Sequence, residues 1–261
     1  MLGILDGGLR LWVVGRSVLA RILVPLGLAA AASSFVFGDF TSSADIAFYG
    51  RAALLVGLLL VGTAAGAAVF RLRLDEHEID VAAVLRLLAR HWFAVTLSLV
   101  LGLTTVSLTL IVLGGTTADT LVLALVLVPF SVLFAHAISL SLVAAILWSG
   151  EDGWIRRLMH IPAGKLFGLA ALWTAAIVIF SVLVVAWQII LLGFFLESAL
   201  APLGVDLDEW QSAGRGFILL IPAAVLLGPG SGGVWTLALL DESVRRTGLD
   251  LQRQARAIEA S

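Results

Sequence analysis

Residues 71–91 read R-L-R-L-D-E-H-E-I-D-V-A-A-V-L-R-L-L-A-R-H. This is the longest polar interruption between apolar segments, with two membrane-length segments before it and four after. Asp75 stands three residues before Glu78, a capping-box-like start with Asp in place of Ser or Thr. From there Val81, Val84, Leu85, Leu88 and Trp92 recur at helical spacing and share one face, while Arg86 and Arg90 share the opposite one. The pattern predicts an amphipathic helix along a membrane surface, apolar side down and arginines toward lipid phosphates. Two roles are open to it: a docking or coupling helix for a partner, or a plain interfacial connector between spans.

Composition sets the class. Only 13% of the residues are charged and the mean hydropathy is +1.09. A soluble domain carries about 25% charged residues. Apolar runs of membrane length recur along the chain, each able to cross a hydrocarbon core of about 30 Å. The fold class is therefore all-α: a polytopic integral membrane protein of six transmembrane helices with interfacial amphipathic helices. A net charge of −2 gives no support to nucleic-acid binding. The absence of cysteine excludes disulfides, thiolate metal sites and cysteine nucleophiles. Asp6, Arg10, Arg16 and Arg21 interrupt the first segment too often for a cleavable signal.

The expected organisation is a single transmembrane domain over 1–261. Residues 1–21 read as an interfacial helix in which Asp6 and Arg10 pair at i, i+4. Spans one and two fill 22–70, with Pro25 in the first turn of span one. Gly62 and Gly66 of span two form a G-x-x-x-G that lets another helix approach closely. Spans three and four fill 92–148. The hydroxyls of span three, among them Thr104, Thr105 and Thr109, are expected to bond back to their own helix or across to a neighbour. A second polar insert, 149–165, repeats 71–91 in short form, with Trp154, Arg156 and Arg157 as candidate docking residues beside Arg86 and Arg90. Spans five and six fill 166–240, and 241–261 is a charged tail.

Lysines and arginines orient the bundle. Arg10, Arg16 and Arg21, then Arg71, Arg73, Arg86 and Arg90, then Arg156, Arg157 and Lys165, then Arg245, Arg246, Arg253 and Arg256 fall on alternate segments. Only Arg51 and Arg215 fall on the others. By the positive-inside rule both termini lie in the cytoplasm, and the expected location is the inner (plasma) membrane.

Chemistry-bearing residues are sparse in the apolar cores. His136 on span four is the one titratable side chain there, with Ser131 and Ser139 on the same helix. An intramembrane histidine is a functional candidate, and equally a neutral ring bonded to a neighbouring hydroxyl. Gln188 on span five likewise needs a partner. The run G-P-G-S-G-G, 228–233, interrupts span six. Read as unwound backbone, it makes Gly228, Gly230, Ser231 and Gly232 a candidate polar or substrate site, as in transporters with broken helices. Read otherwise, the span ends at about 227 and the glycines form an interfacial turn. His77, His91, His136 and His160 are scattered, so no metal site and no cofactor is expected.

The order of elements is two spans, an insert ending R-L-L-A-R-H-W-F, two spans, the insert E-D-G-W-I-R-R-L-M, and two spans. This layout resembles the six-helix membrane domain of bacterial glycerophosphodiester phosphodiesterases and related stand-alone membrane proteins. The resemblance is one of layout, so no catalytic residue is carried over. It implies an accessory or regulatory role in the membrane. Three functions follow as expectations. The first is a non-enzymatic accessory or scaffolding protein whose partners are the lipid bilayer and another membrane or cytoplasmic subunit. The second is the permease subunit of an ATP-driven transporter, with 71–91 and 153–161 as coupling helices. The third is a lipid-handling intramembrane enzyme using His136.

Overall fold

The computed structural model describes residues 2–40, 44–113, 118–148, 161–191 and 215–259. Among them lie seven helices: α1 (Leu2–Phe40), α2 (Ala44–Leu74), α3 (Val81–Arg90), α4 (Trp92–Leu113), α5 (Ala118–Leu147), α6 (Ala163–Leu191) and α7 (Arg215–Glu259). Six contain a stretch long and apolar enough to cross a membrane: Gly15–Ser33, Tyr49–Leu74, Trp92–Thr109, Leu127–Leu147, Ala163–Gln188 and Leu220–Arg245. Helices satisfy their backbone hydrogen bonds internally, so this is the architecture of a polytopic helical membrane protein.

α2 and α7 form the centre. They pack most extensively on each other, and α1 lies against both. Ala64, Ala65, Ala67 and Ala68 of α2 are fully buried, as are Val234, Thr236 and Leu239 of α7. α5 touches both central helices, α4 packs on α2 and α5, and α6 packs on α7 and α5. The outer helices are mostly uncovered: only 17% of the spanning stretch of α4, and the same share of α6, is buried by protein. Their exposed Trp92, Phe93, Leu108, Ile179, Leu183 and Trp187 suit a hydrocarbon surround.

Three elements depart from the sequence reading. First, 1–21 and 22–38 are not a surface helix followed by a span. α1 is one continuous helix with Pro25 inside it. Gly15, Val18, Leu19, Ile22, Leu23, Gly27 and Ala30 form a single buried stripe across the supposed junction, so burial holds the helix together there. Pro25 sits on the exposed side of that stripe.

Second, α3 starts later than the Asp75–Glu78 pattern suggests. Its N-cap is Asp80, whose Oδ1 accepts from the Ala83 N–H at 2.5 Å. α2 instead runs through Leu74 and closes with a Schellman turn: the His77 N–H bonds to Leu72 O and the Glu76 N–H to Arg73 O. Glu76 takes the left-handed conformation that this turn needs, with φ 55°. Asp75 pairs with Arg71 at 3.1 Å. The α3 face also turns inward. Val84 is fully buried, with Val81, Leu87 and Leu88 packed around it, whereas Leu85 and Trp92 are exposed. The apolar side of α3 is therefore seated on the bundle, against α2.

Third, the run at 228–233 neither breaks α7 nor ends it. The helix continues through Pro222, Pro229 and all four glycines. In hydrocarbon an unwound segment leaves several peptide groups without partners, whereas a helical proline removes only one bond. The glycines also supply the shape that α2 needs. A Cβ added at Gly66 would stand 2.5 Å from Pro229 O, and one at Gly62 would stand 3.0 Å from Gly228 Cα. A Cβ at Gly232 would run into Thr63 O. Gly62 and Gly66 thus interlock with Gly228 and Gly232, backbone against backbone, with both helices running in the same direction. This fulfils the packing expected of Gly62 and Gly66.

Polar groups tie one end of the bundle. The Arg71 guanidinium donates to Ile146 O at 2.9 Å and Leu147 O at 2.5 Å, capping the last carbonyls of α5. At the start of α6, Lys165 Nζ lies 2.7 Å from Asp241 Oδ2 and 3.1 Å from Glu242 Oε2 of α7, and Arg245 closes on Asp241 from the next turn.

Candidate functional site

The structure brings His136 together with two residues that the sequence did not connect to it. His136 Nε2 lies 2.7 Å from Thr174 Oγ1 of α6, and its ring centroid lies 5.5 Å from that of Trp235 of α7. Thr174 is itself back-bonded to Ala170 O at 2.8 Å. The expectation of a ring bonded to a neighbouring hydroxyl holds, but the hydroxyl comes from α6 rather than from α5.

Beside this group is a slot of about 210 Å³ between α5, α6 and α7. Leu133, His136, Leu140, Leu166, Ala170 and Trp235 line it, with Ala137, Ala163 and Phe167 completing its wall. Trp235, Ala170 and Leu140 are buried, whereas Phe167, Ala137 and Ala163 are exposed. The slot therefore opens sideways, toward the medium that surrounds the apolar belt. On α6 the lining residues run from Ala163 to Ala170. Thr174 is about 16 Å along the helix from Ala163, close to mid-membrane depth.

Among the described residues, three buried side-chain atoms have no hydrogen-bond partner: Trp173 Nε1 on α6, and Trp235 Nε1 and Thr236 Oγ1 on α7. Each such orphan costs ~1–3 kcal/mol. Of the three, Trp235 alone belongs to the wall of the slot.

The other sequence candidates are not drawn to this place. Gln188 is half-buried and lies about 21 Å further along α6 than Thr174. Gly228, Gly230, Ser231 and Gly232 are buried within α7. Gly228 and Gly232 are closed against α2, so the structure gives this segment a packing role. Arg86 and Arg90 are exposed on α3, and Arg86 Nε reaches Ala82 O at 3.3 Å. Trp154, Arg156 and Arg157 lie outside the described residues. His91, between α3 and α4, is half-buried. Burial, followed by the charges of Arg71 and Arg90, holds its imidazole pKa below the usual value.

The span-three hydroxyls behave as expected. Thr104, Thr105 and Thr109 bond to Val100 O, Leu101 O and Thr105 O, and Thr109 Oγ1 also lies 2.6 Å from Ser131 Oγ on α5. Sequence reasoning missed Thr174, Trp235 and the Lys165–Asp241–Glu242 group. The signal for the last was available: a lone lysine at one span start and an acid pair at another span end, on the same side by charge count.

The fold and the site define a polytopic helical membrane protein with a side-opening apolar slot that His136 helps to line. No protein-family model, curated protein or solved structure matches the chain.

Proposed function

We propose that this chain is a non-enzymatic accessory protein of the inner (plasma) membrane, with both termini in the cytoplasm, acting as a scaffold in a membrane complex or in envelope homeostasis. The observation that carries the reading is the glycine seam between α2 and α7. A permease that alternates its access rocks one helical group against another around a central site. Here the two central helices meet through backbone atoms, which leaves no side-chain layer to rearrange. The segment first considered as a substrate path is part of that seam. Surfaces available for partners lie outside it: the exposed arginines of α3 and the uncovered faces of α4 and α6. α3 is suited to present a partner surface because Val84 and the Asp80 cap hold it on the bundle. The orientation is supported by the concentration of lysine and arginine at the end where α2 and α7 finish.

The test is purification from native membranes in mild detergent, followed by mass spectrometry of co-purifying proteins. A stoichiometric membrane complex that is lost on Arg86→Glu/Arg90→Glu, with the bundle still monodisperse, is the expected result. A stoichiometric ATPase whose turnover depends on this chain would replace the scaffold reading with the permease one.

A further inference from the structure

α5 and α6 each pack on α7 more than on each other, which leaves a crevice between them with Trp235 of α7 as its floor. Small side chains make the room: Ala137 on α5, and Ala163 and Ala170 on α6. Trp235, Ala170 and Leu140 are buried, so an occupant touches core residues and not only the outer belt. Exposed Ala137 and Phe167 join the slot to the apolar surface that faces the bilayer.

The lining decides between occupants, independently of the scaffold reading. Left empty, the walls forfeit dispersion contacts on one side. Water in a cavity needs two to four polar partners. Trp235 Nε1 is sealed within the protein, and His136 Nε2 is taken by Thr174. That leaves His136 Nδ1 as the one remaining side-chain polar atom of the lining, which is too few. Hydrocarbon needs no polar partner, and the bilayer supplies it at the opening. Scaled from the ~150 Å³ that holds the six carbons of benzene, about 210 Å³ takes about eight carbons. On α6 the lining begins where the spanning stretch begins, at Ala163, and covers ~10 Å of helix to Ala170. This lies within the ~15 Å that one leaflet contributes to the hydrocarbon core.

A chain entering from that leaflet leaves its headgroup near the level of Lys165. The charges there on α6 and α7 are already matched, Lys165 with Asp241 and Glu242, and Arg245 with Asp241. The lipid is therefore held by its chain and not by its headgroup. We infer that the slot holds the hydrocarbon chain of a lipid from the leaflet at the α6 start, over about eight carbons, whatever headgroup carries that chain.

The test uses the purified full chain in micelles of a steroidal detergent, which has no linear chain of its own. Phosphatidylcholine with a diazirine on the proximal half of one acyl chain is titrated in, and peptides labelled on photolysis are located by mass spectrometry. Labelling of 133–140 and 163–170 is expected to saturate. Labelling of 178–187, where Val178, Ile179, Val182, Leu183 and Trp187 are exposed, is expected to rise in proportion to the probe. Unlabelled phosphatidylcholine and phosphatidylglycerol with the same chains are expected to compete at the slot within about threefold of each other. Ala170→Leu, which fills the slot from within, is expected to remove the saturable labelling and leave 178–187 unchanged. Slot labelling that is absent or merely proportional in the wild-type protein, or a larger headgroup difference, would overturn the inference. The wild-type titration needs no variant, so misfolding of Ala170→Leu leaves the test intact.

Discussion

Gly66→Ala is the most informative single substitution. The new methyl would stand 2.5 Å from Pro229 O, 2.9 Å from Pro229 Cα and 3.0 Å from its carbonyl carbon. All three are helix backbone and cannot rotate aside. Restoring an ordinary contact of 3.4 Å requires α7 to retreat by about 1 Å. A gap of ~0.5–1 Å forfeits a quarter to a half of each dispersion well along the seam. The seam is flanked by Thr63, Ala64, Ala67 and Val234, all buried. Overpacking of this kind costs ~1–3 kcal/mol, and a backbone obstacle puts it in the upper half of that range. Higher helix propensity returns up to ~1 kcal/mol. The expected net loss is about 1–2 kcal/mol. Gly57→Ala is the control on the same helix. It meets only Leu99 Cδ2 at 3.9 Å, so it is expected to be neutral or stabilising by up to ~1 kcal/mol. The assay is reversible unfolding in mixed micelles with increasing SDS. Equal midpoints for the two variants would refute a seam closed by glycine.

Three further outcomes are expected. Glu76→Gly relieves a left-handed residue at the end of α2 and stabilises by ~0.5–1 kcal/mol in the same unfolding assay, whereas Glu76→Val destabilises. Lys165→Met leaves Asp241 and Glu242 without their shared cation and costs ~1–3 kcal/mol, below the value for a fully buried pair because all three side chains are partly solvated; adding Glu242→Gln recovers part of the loss in a double-mutant cycle. Because the folded-state pKa of His91 is depressed, the unfolded chain binds the extra proton first, so stability is full above its ordinary value of 6.5 and falls as pH drops below it; thermal midpoints measured from pH 7 down to about pH 5.5 should decline less in His91→Gln than in the wild type.

The number and order of spans were legible because uninterrupted hydrophobicity is a one-dimensional signal, and the charged inserts mark its ends. The run at 228–233 was harder. Glycine and proline weaken a helix in water, where an unwound backbone is solvated, but the bilayer removes that alternative. The missed clue was spacing: Gly228 and Gly232 repeat the four-residue interval of Gly62 and Gly66. For α1, the stripe Gly15, Val18, Leu19, Ile22 and Leu23 was readable, yet Arg16, Arg21 and Pro25 interrupt the apolar run on which a span is recognised. The cap of α3 was misplaced because Asp75 and Glu78 have capping-box spacing, whereas Asp80 caps the helix. Asp75 is instead drawn to Arg71, a contact that depends on α2 running through Leu74. The partners of His136 were not legible at all, since Thr174 and Trp235 lie on other helices and nothing local records which faces meet.

The central claim is that 228–233 is closed helix against α2, not a water-lined break. Amide hydrogen exchange on the protein in nanodiscs tests it most directly. Protection of 228–233 equal to that of 62–70, lasting hours, is the result expected from the seam. Exchange within minutes confined to 228–233, with 62–70 still protected, would contradict it and return the glycine run to the role of a substrate path.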